Sequence, residues 1–396
     1  MEGFLERAEL VARRFAERAD EYDRTADFPK ADVDDLRAEG FLGLLVPRPL
    51  GGAGAGFEDY VRVAMVLARG SPSTALLYNM HAAVTGGLAG VSEGLALALG
   101  APPSFFEVRD RVLQAAAEGS MYGVAITEPE AGSRLSAMRT TYEPEDSGFR
   151  IRGFKSVTSG AGYLDAYLVA ARGSDPGGDP AVSYFLVPAG DGLRVEETWD
   201  PLGMRATISN GLHLDVHVSS DALVGGVEGL VLPLAYTMPQ WLVASYAAVY
   251  VGVAQGVLAE AVRYLGDRVV AGSQGGLTEL PSVRARLGRA DASIEGARLA
   301  VEEAARLVDS APGEPSTNRA IFRAKLLAGD AAMRVASSLT EACGLGALQR
   351  GQALERMFRD ARMGALMPPS SDVCATYLGV VVLGLDPMTA QDPRPW

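Results

Sequence analysis

The chain has 396 residues, 36 Lys plus Arg against 49 Asp plus Glu, a formal net charge of −13 at pH 7, and 48% hydrophobic residues. A chain of this length organises two or three hydrophobic cores rather than one. The acidic balance excludes nucleic acid as a partner, because binding phosphates takes clustered Lys and Arg. Arg356, Arg359 and Arg362 still leave room for an acidic small ligand. The two cysteines, Cys343 and Cys374, stand in apolar surroundings and read as buried free thiols of a reducing, cytoplasmic compartment rather than as a disulfide.

The N-terminal run MEGFLERAELVARRF carries charges throughout and does not read as a secretory signal. Residues 1–119 are rich in Ala, Leu, Glu and Arg at helical spacing, with Phe4, Leu5, Ala8, Val11, Ala12 and Phe15 on one stripe. Pro47 to Gly56 interrupts this helical region. From 120 to 225 the pattern turns to strands, as in Tyr122 to Ile126, Phe149 to Arg152, Ala166 to Ala171 and Ala181 to Val187, with Gly173 to Asp179 expected as a hairpin loop. From 226 to 396 helices return, expected over 231–270, 280–310, 317–342 and 350–365. The apolar segment Trp241 to Ala254 is short for a membrane span and carries Ser245 and two tyrosines, so it reads as a buried bundle helix. The expected architecture is α+β: an N-terminal helical domain, a middle β domain and a C-terminal helical bundle.

Two small-residue segments stand out, Ile126-Thr127-Glu128-Pro129-Glu130-Ala131-Gly132-Ser133 and Gly153-Phe154-Lys155-Ser156-Val157-Thr158-Ser159-Gly160-Ala161. Strands that meet Thr, Pro, Gly and Ser turn sharply and leave backbone N–H groups free. Such donors and small hydroxyls suit the polar edge of a flavin; either segment alone also reads as a surface turn.

Taken in order with Gly40 to Pro47, Gly51-Gly52, Leu202 to Thr207, Arg268 with Gly272, Gly344 with Gly346, and Arg356 to Arg362, these segments resemble the acyl-CoA dehydrogenase superfamily over nearly the whole chain. The resemblance implies FAD as cofactor. It places Thr127, with the backbone of Ile126, at the flavin pyrimidine edge, Ser159 near the flavin N5, and Ser370 among the cofactor contacts. Ser133 matches a contact to the pantetheine arm of a thioester. Arg268 and Gly272 match a turn that reaches FAD on a neighbouring subunit, which implies a homodimer or homotetramer. An electron-acceptor protein is a further expected partner, and no membrane span is expected.

In that family a carboxylate removes an α proton from an acyl thioester while the flavin takes the β hydrogen. One usual base position follows the Arg-Asp-Ala run, here Arg359-Asp360-Ala361, and falls on Pro368 with Pro369 beside it; the other lies before the first bundle-helix glycine and falls on Leu242. Neither accepts a proton. Asp372 and, from the opposite wall, His81 are the candidate replacements. His213, Asp215 and His217 alternate along a strand and read as a solvated sheet face rather than a metal site. Glu355 with Arg359, and Arg356 with Asp360, read as i,i+4 helix pairs. The expected activity is FAD-dependent α,β-dehydrogenation of an acyl thioester on CoA or a carrier protein. The alternatives are a flavin monooxygenase on the same fold, which binds reduced flavin, reacts with O₂ and needs no such base, and a flavin-binding partner without catalysis.

Overall fold

The computed structural model describes residues 2–174, 181–266, 268, 276–387 and 389–390; Gly272 and most of the Gly173 to Asp179 loop lie outside them. Six helices come first: α1 (Glu2–Thr25), α2 (Lys30–Ala38), α3 (Phe57–Gly70), α4 (Pro72–Ala89), α5 (Glu93–Ala98) and α6 (Ser104–Ala117). The α1 stripe buries Ala8, Val11, Ala12 and Phe15. Ser71 caps α4 by accepting from the Thr74 amide, with Pro72 at the first helical position, where its missing N–H costs nothing.

Among the described residues seven strands follow: β1 (Tyr122–Ala125), β2 (Thr141–Glu145), β3 (Gly148–Lys155), β4 (Ala166–Gly173), β5 (Val182–Pro188), β6 (Leu193–Glu196) and β7 (Gly211–Ser219). They form one sheet in the order β1-β4-β2-β3-β7-β6, with β5 also paired to β4. β1 runs parallel to β4, with Val124 opposite Leu168. On β7 the even positions Leu212, Leu214, Val216 and Val218 are buried while Asp215 and His217 are exposed. His213 Nε2 pairs with Glu196, and the exposure of Asp215 and His217 shows that this face meets solvent, as its alternation indicates.

The chain then forms α7 (Val231–Thr237), α8 (Ala244–Gly266), α9 (Pro281–Ser310), α10 (Pro315–Cys343), α11 (Ala353–Arg362) and α12 (Ser371–Val382). The single helix expected over 231–270 is broken. α7 stops at Thr237, and a short 3₁₀ turn over Pro239–Leu242 precedes α8. Pro239 lacks the amide a continuing helix needs and its ring disfavours helical backbone before it. α8 is apolar, and 72% of its most apolar window is buried inside the protein, as a core helix requires. Gly252 lets α8 pack directly on α3, since a Cβ there would lie 2.3 Å from the Met65 carbonyl oxygen. Cys343 and Cys374 are both free and buried.

Two arginines of the basic cluster of α11, Arg356 and Arg359, are held in ion pairs within the protein. Arg359 holds Asp23 with Nη1 and Nη2 at 3.0 and 2.6 Å and Glu355 through Nε at 2.7 Å. Arg356 Nε donates to Asp20 at 2.7 Å, and its Nη1 lies 3.6 Å from Asp360. Both arginines are buried. Their charges are spent fastening α11 to α1, and the expected i,i+4 pairs are part of that network.

Candidate active site

β1 ends at Ala125, and Thr127 then bridges Val157 in antiparallel fashion, so the two small-residue segments lie side by side. The Ser156 amide donates to the Thr127 carbonyl at 2.9 Å. Beneath them Lys155, 0% exposed, donates to Glu128 Oε1 at 2.7 Å and to the Ile126 carbonyl at 3.3 Å. Glu128 also accepts the amides of Arg139 and Thr140 at 2.6 and 3.0 Å. Burial works against the carboxylate charge, but Lys155 and these hydrogen bonds outweigh it and hold Glu128 below its ordinary value. A buried ion pair is stable when its remaining lone pairs are filled in this way.

Above this brace lies a cavity of about 350 Å³. Its β-domain wall presents Ile126, Thr127, Ser133, Ser159, Thr207 and Ser209. Its helical wall presents Met80 of α4, Leu242, and Tyr246 of α8, and the turn after α11 adds Leu366, Pro368 and Pro369. Three of the hydroxyls are linked: Ser159 Oγ lies 2.9 Å from Ser209 Oγ, which lies 2.8 Å from Thr207 Oγ1, and Thr207 donates to the Met204 carbonyl at 2.9 Å. Among the described residues no Asp, Glu, Lys, Arg or His lines the cavity.

Ile126, Thr127, Ser133 and Ser159 are therefore brought together, and both base positions, Leu242 and Pro368, face the same cavity. The two replacement bases do not. His81 is 1% exposed; its Nε2 lies 2.8 Å from the Leu42 carbonyl oxygen, and its Nδ1 accepts the Tyr122 amide at 3.2 Å. This holds the neutral tautomer with hydrogen on Nε2, and burial lowers its pKa to about 4. His81 pins α4 to β1 and has no free nitrogen to serve as a base. Asp372 is exposed in the first turn of α12, where a carboxylate favours the helix N-terminus, and it is absent from the cavity lining. Ser370 caps that helix by accepting from the Val373 amide at 3.4 Å. Arg268 is exposed; its Nη2 donates to the Tyr264 hydroxyl at 2.9 Å and its guanidinium stacks on that ring. Sequence reasoning missed Thr207, Ser209 and Tyr246. Thr207 is the last residue of the Leu202 to Thr207 motif and Ser209 follows it closely, whereas Tyr246 was hidden in a run that reads as plain core.

The donor set fits a flavin. A flat ring with one polar edge matches a cavity that is apolar on its helical wall and hydroxyl-bearing on its β-domain wall. Family models for the acyl-CoA dehydrogenase N-terminal, middle and C-terminal domains match residues 6–91, 123–216 and 243–375.

The chain belongs to the acyl-CoA dehydrogenase family.

The putative acyl-CoA dehydrogenase YdbM of Bacillus subtilis (strain 168) is 30% identical over 374 residues, covering 93% of each chain. FMN-bound TdsC from Paenibacillus sp. A11-2, a dibenzothiophene monooxygenase, is 27% identical with a TM-score of 0.83, covering 96% of this chain and 97% of that one. Methanesulfinate monooxygenase MsuC from Pseudomonas fluorescens is 26% identical with a TM-score of 0.83, covering 96% of each chain. This acyl-CoA dehydrogenase family member is a flavoenzyme, and its cofactor is a flavin, FAD in this family.

Proposed function

We propose that this family member is a flavin-dependent monooxygenase. The observation that carries the reading is the substitution of Leu242 and Pro368 at both base positions, in a cavity without an ionisable acid or base of near-neutral pKa among the described residues. Abstraction of an α proton needs an acceptor within about 3 Å of the carbon; oxygen transfer does not. The likeness to TdsC and MsuC supports the same reading. When bound, the flavin supplies the redox chemistry with O₂. The chain's part is to hold and shield it. In this reading Thr127 and the Ile126 backbone hold the pyrimidine edge, Ser159 faces N5, and Ser133 meets the substrate. Arg268 serves the flavin of a neighbouring subunit in a homodimer or homotetramer.

The second reading, α,β-dehydrogenation of an acyl thioester, is favoured by the likeness to YdbM and by Ser133 at the cavity wall. The two separate in one experiment on flavin-loaded protein. Monooxygenation predicts that an aromatic sulfide gains one oxygen atom when reduced flavin and O₂ are supplied, and that acyl-CoA leaves the oxidised flavin yellow without oxygen. Anaerobic bleaching by acyl-CoA overturns it.

A further inference from the structure

The cavity shares part of its wall with further enclosed apolar space. A second chamber of about 110 Å³ adjoins it, and Tyr184, Ala235, Met238 and Leu242 line both. Trp241 also lines the second chamber and packs so tightly on α4 that a Cβ at Gly86 would lie 2.1 Å from its ring. Ala83, Val84 and Leu88 of α4 line the second chamber, and it too carries no charged side chain among the described residues. Met238 and Leu242, which flank the helix break at Pro239, belong to the wall the two chambers share.

One hydroxyl in this region is under-used. Tyr246 is 7% exposed, and the partner of its hydroxyl is the Met80 thioether at 3.8 Å, a weak acceptor. A buried phenol O–H whose hydrogen-bond partner among the described residues is a thioether gains when a ligand oxygen takes its proton. Burial keeps Tyr246 protonated, with its pKa raised above the ordinary phenol value, so it acts as donor and not as base.

We propose that the helical side of the first chamber, beside the flavin, and the second chamber form one substrate site for a neutral, largely apolar molecule with a single hydrogen-bond acceptor, bound by the Tyr246 hydroxyl, with its apolar body running past Tyr184 into the second chamber. Anionic groups are refused inside, since no cation stands ready to replace their water. The proposal rests on the cavity being the substrate site of the monooxygenase reading and adds the class of molecule it takes.

The test is binding to the flavin-loaded protein, read from the shift in flavin absorbance without turnover. The probes are methyl phenyl sulfoxide, isopropylbenzene as its shape-matched hydrocarbon, and benzoate. Tyr246→Phe is expected to weaken the sulfoxide about tenfold and to leave isopropylbenzene within about twofold. Benzoate is expected not to bind. Ala83→Leu, which fills the second chamber, is expected to weaken 4-butylphenyl methyl sulfoxide at least about fivefold while sparing the unsubstituted sulfoxide. Unchanged sulfoxide affinity in Tyr246→Phe, equal weakening of sulfoxide and hydrocarbon, or benzoate bound as tightly as the sulfoxide overturns the proposal. These readings need no reaction. A protein that binds this way but bleaches with acyl-CoA loses only the monooxygenase reading.

Discussion

Ser159 Oγ and Ser209 Oγ lie 2.9 Å apart, and the direction of that hydrogen bond is set two residues away. The Met204 carbonyl can only accept, so Thr207 donates to it, Ser209 donates to Thr207, and Ser159 donates to Ser209. The reverse direction would leave two oxygens at 2.9 Å with no proton between them. Ser159 therefore turns lone pairs, not its proton, toward the cavity. A reduced flavin carries an N–H at N5 that the oxidised ring lacks, so with Ser159 facing N5, as proposed above, this orientation is expected to favour the reduced form.

Ser209→Ala removes the acceptor for Ser159 and releases its proton. The expected outcome is a loss of roughly three- to tenfold in the preference for reduced over oxidised flavin, a midpoint potential lower by about 15–30 mV. Spectroelectrochemical titration of the bound flavin checks it. A potential equal to wild type sinks the relay argument.

The Lys155–Glu128 pair braces both loops of the flavin wall from below. Lys155→Met leaves Glu128 buried and uncompensated, and is expected to cost about 3–5 kcal/mol. Denaturant unfolding reads the stability, and the flavin should be released at lower denaturant than the global transition. Lys155→Met with Glu128→Gln together should cost less than the sum of the two singles.

His81 makes stability depend on pH in a defined window. Its unfolded value is near 6.5 and its folded value about 4, so between these the unfolded chain binds the proton that the native state refuses. Its contribution is complete above about pH 6.5 and is lost as pH falls toward 4, roughly 3 kcal/mol over the window. Asp32 and Asp360, raised to about 6 chiefly by burial, act in the opposite sense, so the test is a difference. His81→Gln keeps a donor and an acceptor but does not titrate. The stability of wild type minus that of the variant should fall with acidification from pH 6.5 to 4; a flat difference refutes the assignment.

Leu242→Glu puts a carboxylate where the cavity lacks one, with its pKa raised by the apolar surroundings. It is expected to gain anaerobic flavin reduction by acyl-CoA at least about tenfold above wild type, each pKa-matched base being worth about 10²–10⁴ in such a step. Asp372→Asn is expected to leave flavin reduction unchanged, because Asp372 lies outside the cavity.

The order of helices, strands and helices was legible from local pattern, because periodicity of apolar residues reports which face each element must bury. The same holds for β7, where alternation alone separates buried Leu214 and Val216 from exposed Asp215 and His217. Thr127, Ser133 and Ser159 stood out in the sequence as small hydroxyl residues at strand ends, and they meet at one cavity wall. The empty base positions could be counted along the chain. Whether another residue filled them could not, because that depends on where α12 and α4 point their side chains. Tertiary packing turned Asp372 to solvent and locked His81 between two backbone groups contributed by residues distant in sequence, Leu42 and Tyr122. The break of the expected 231–270 helix at Pro239 is local chemistry, but tertiary packing made Met238 and Leu242 the wall shared by two chambers. Sequence by itself determined the elements and the family, because those rest on short-range periodicity and ordered motifs. The tertiary structure alone decided which polar groups remain free in the cavity, because hydrogen-bond partners are chosen across elements that no local pattern brings together.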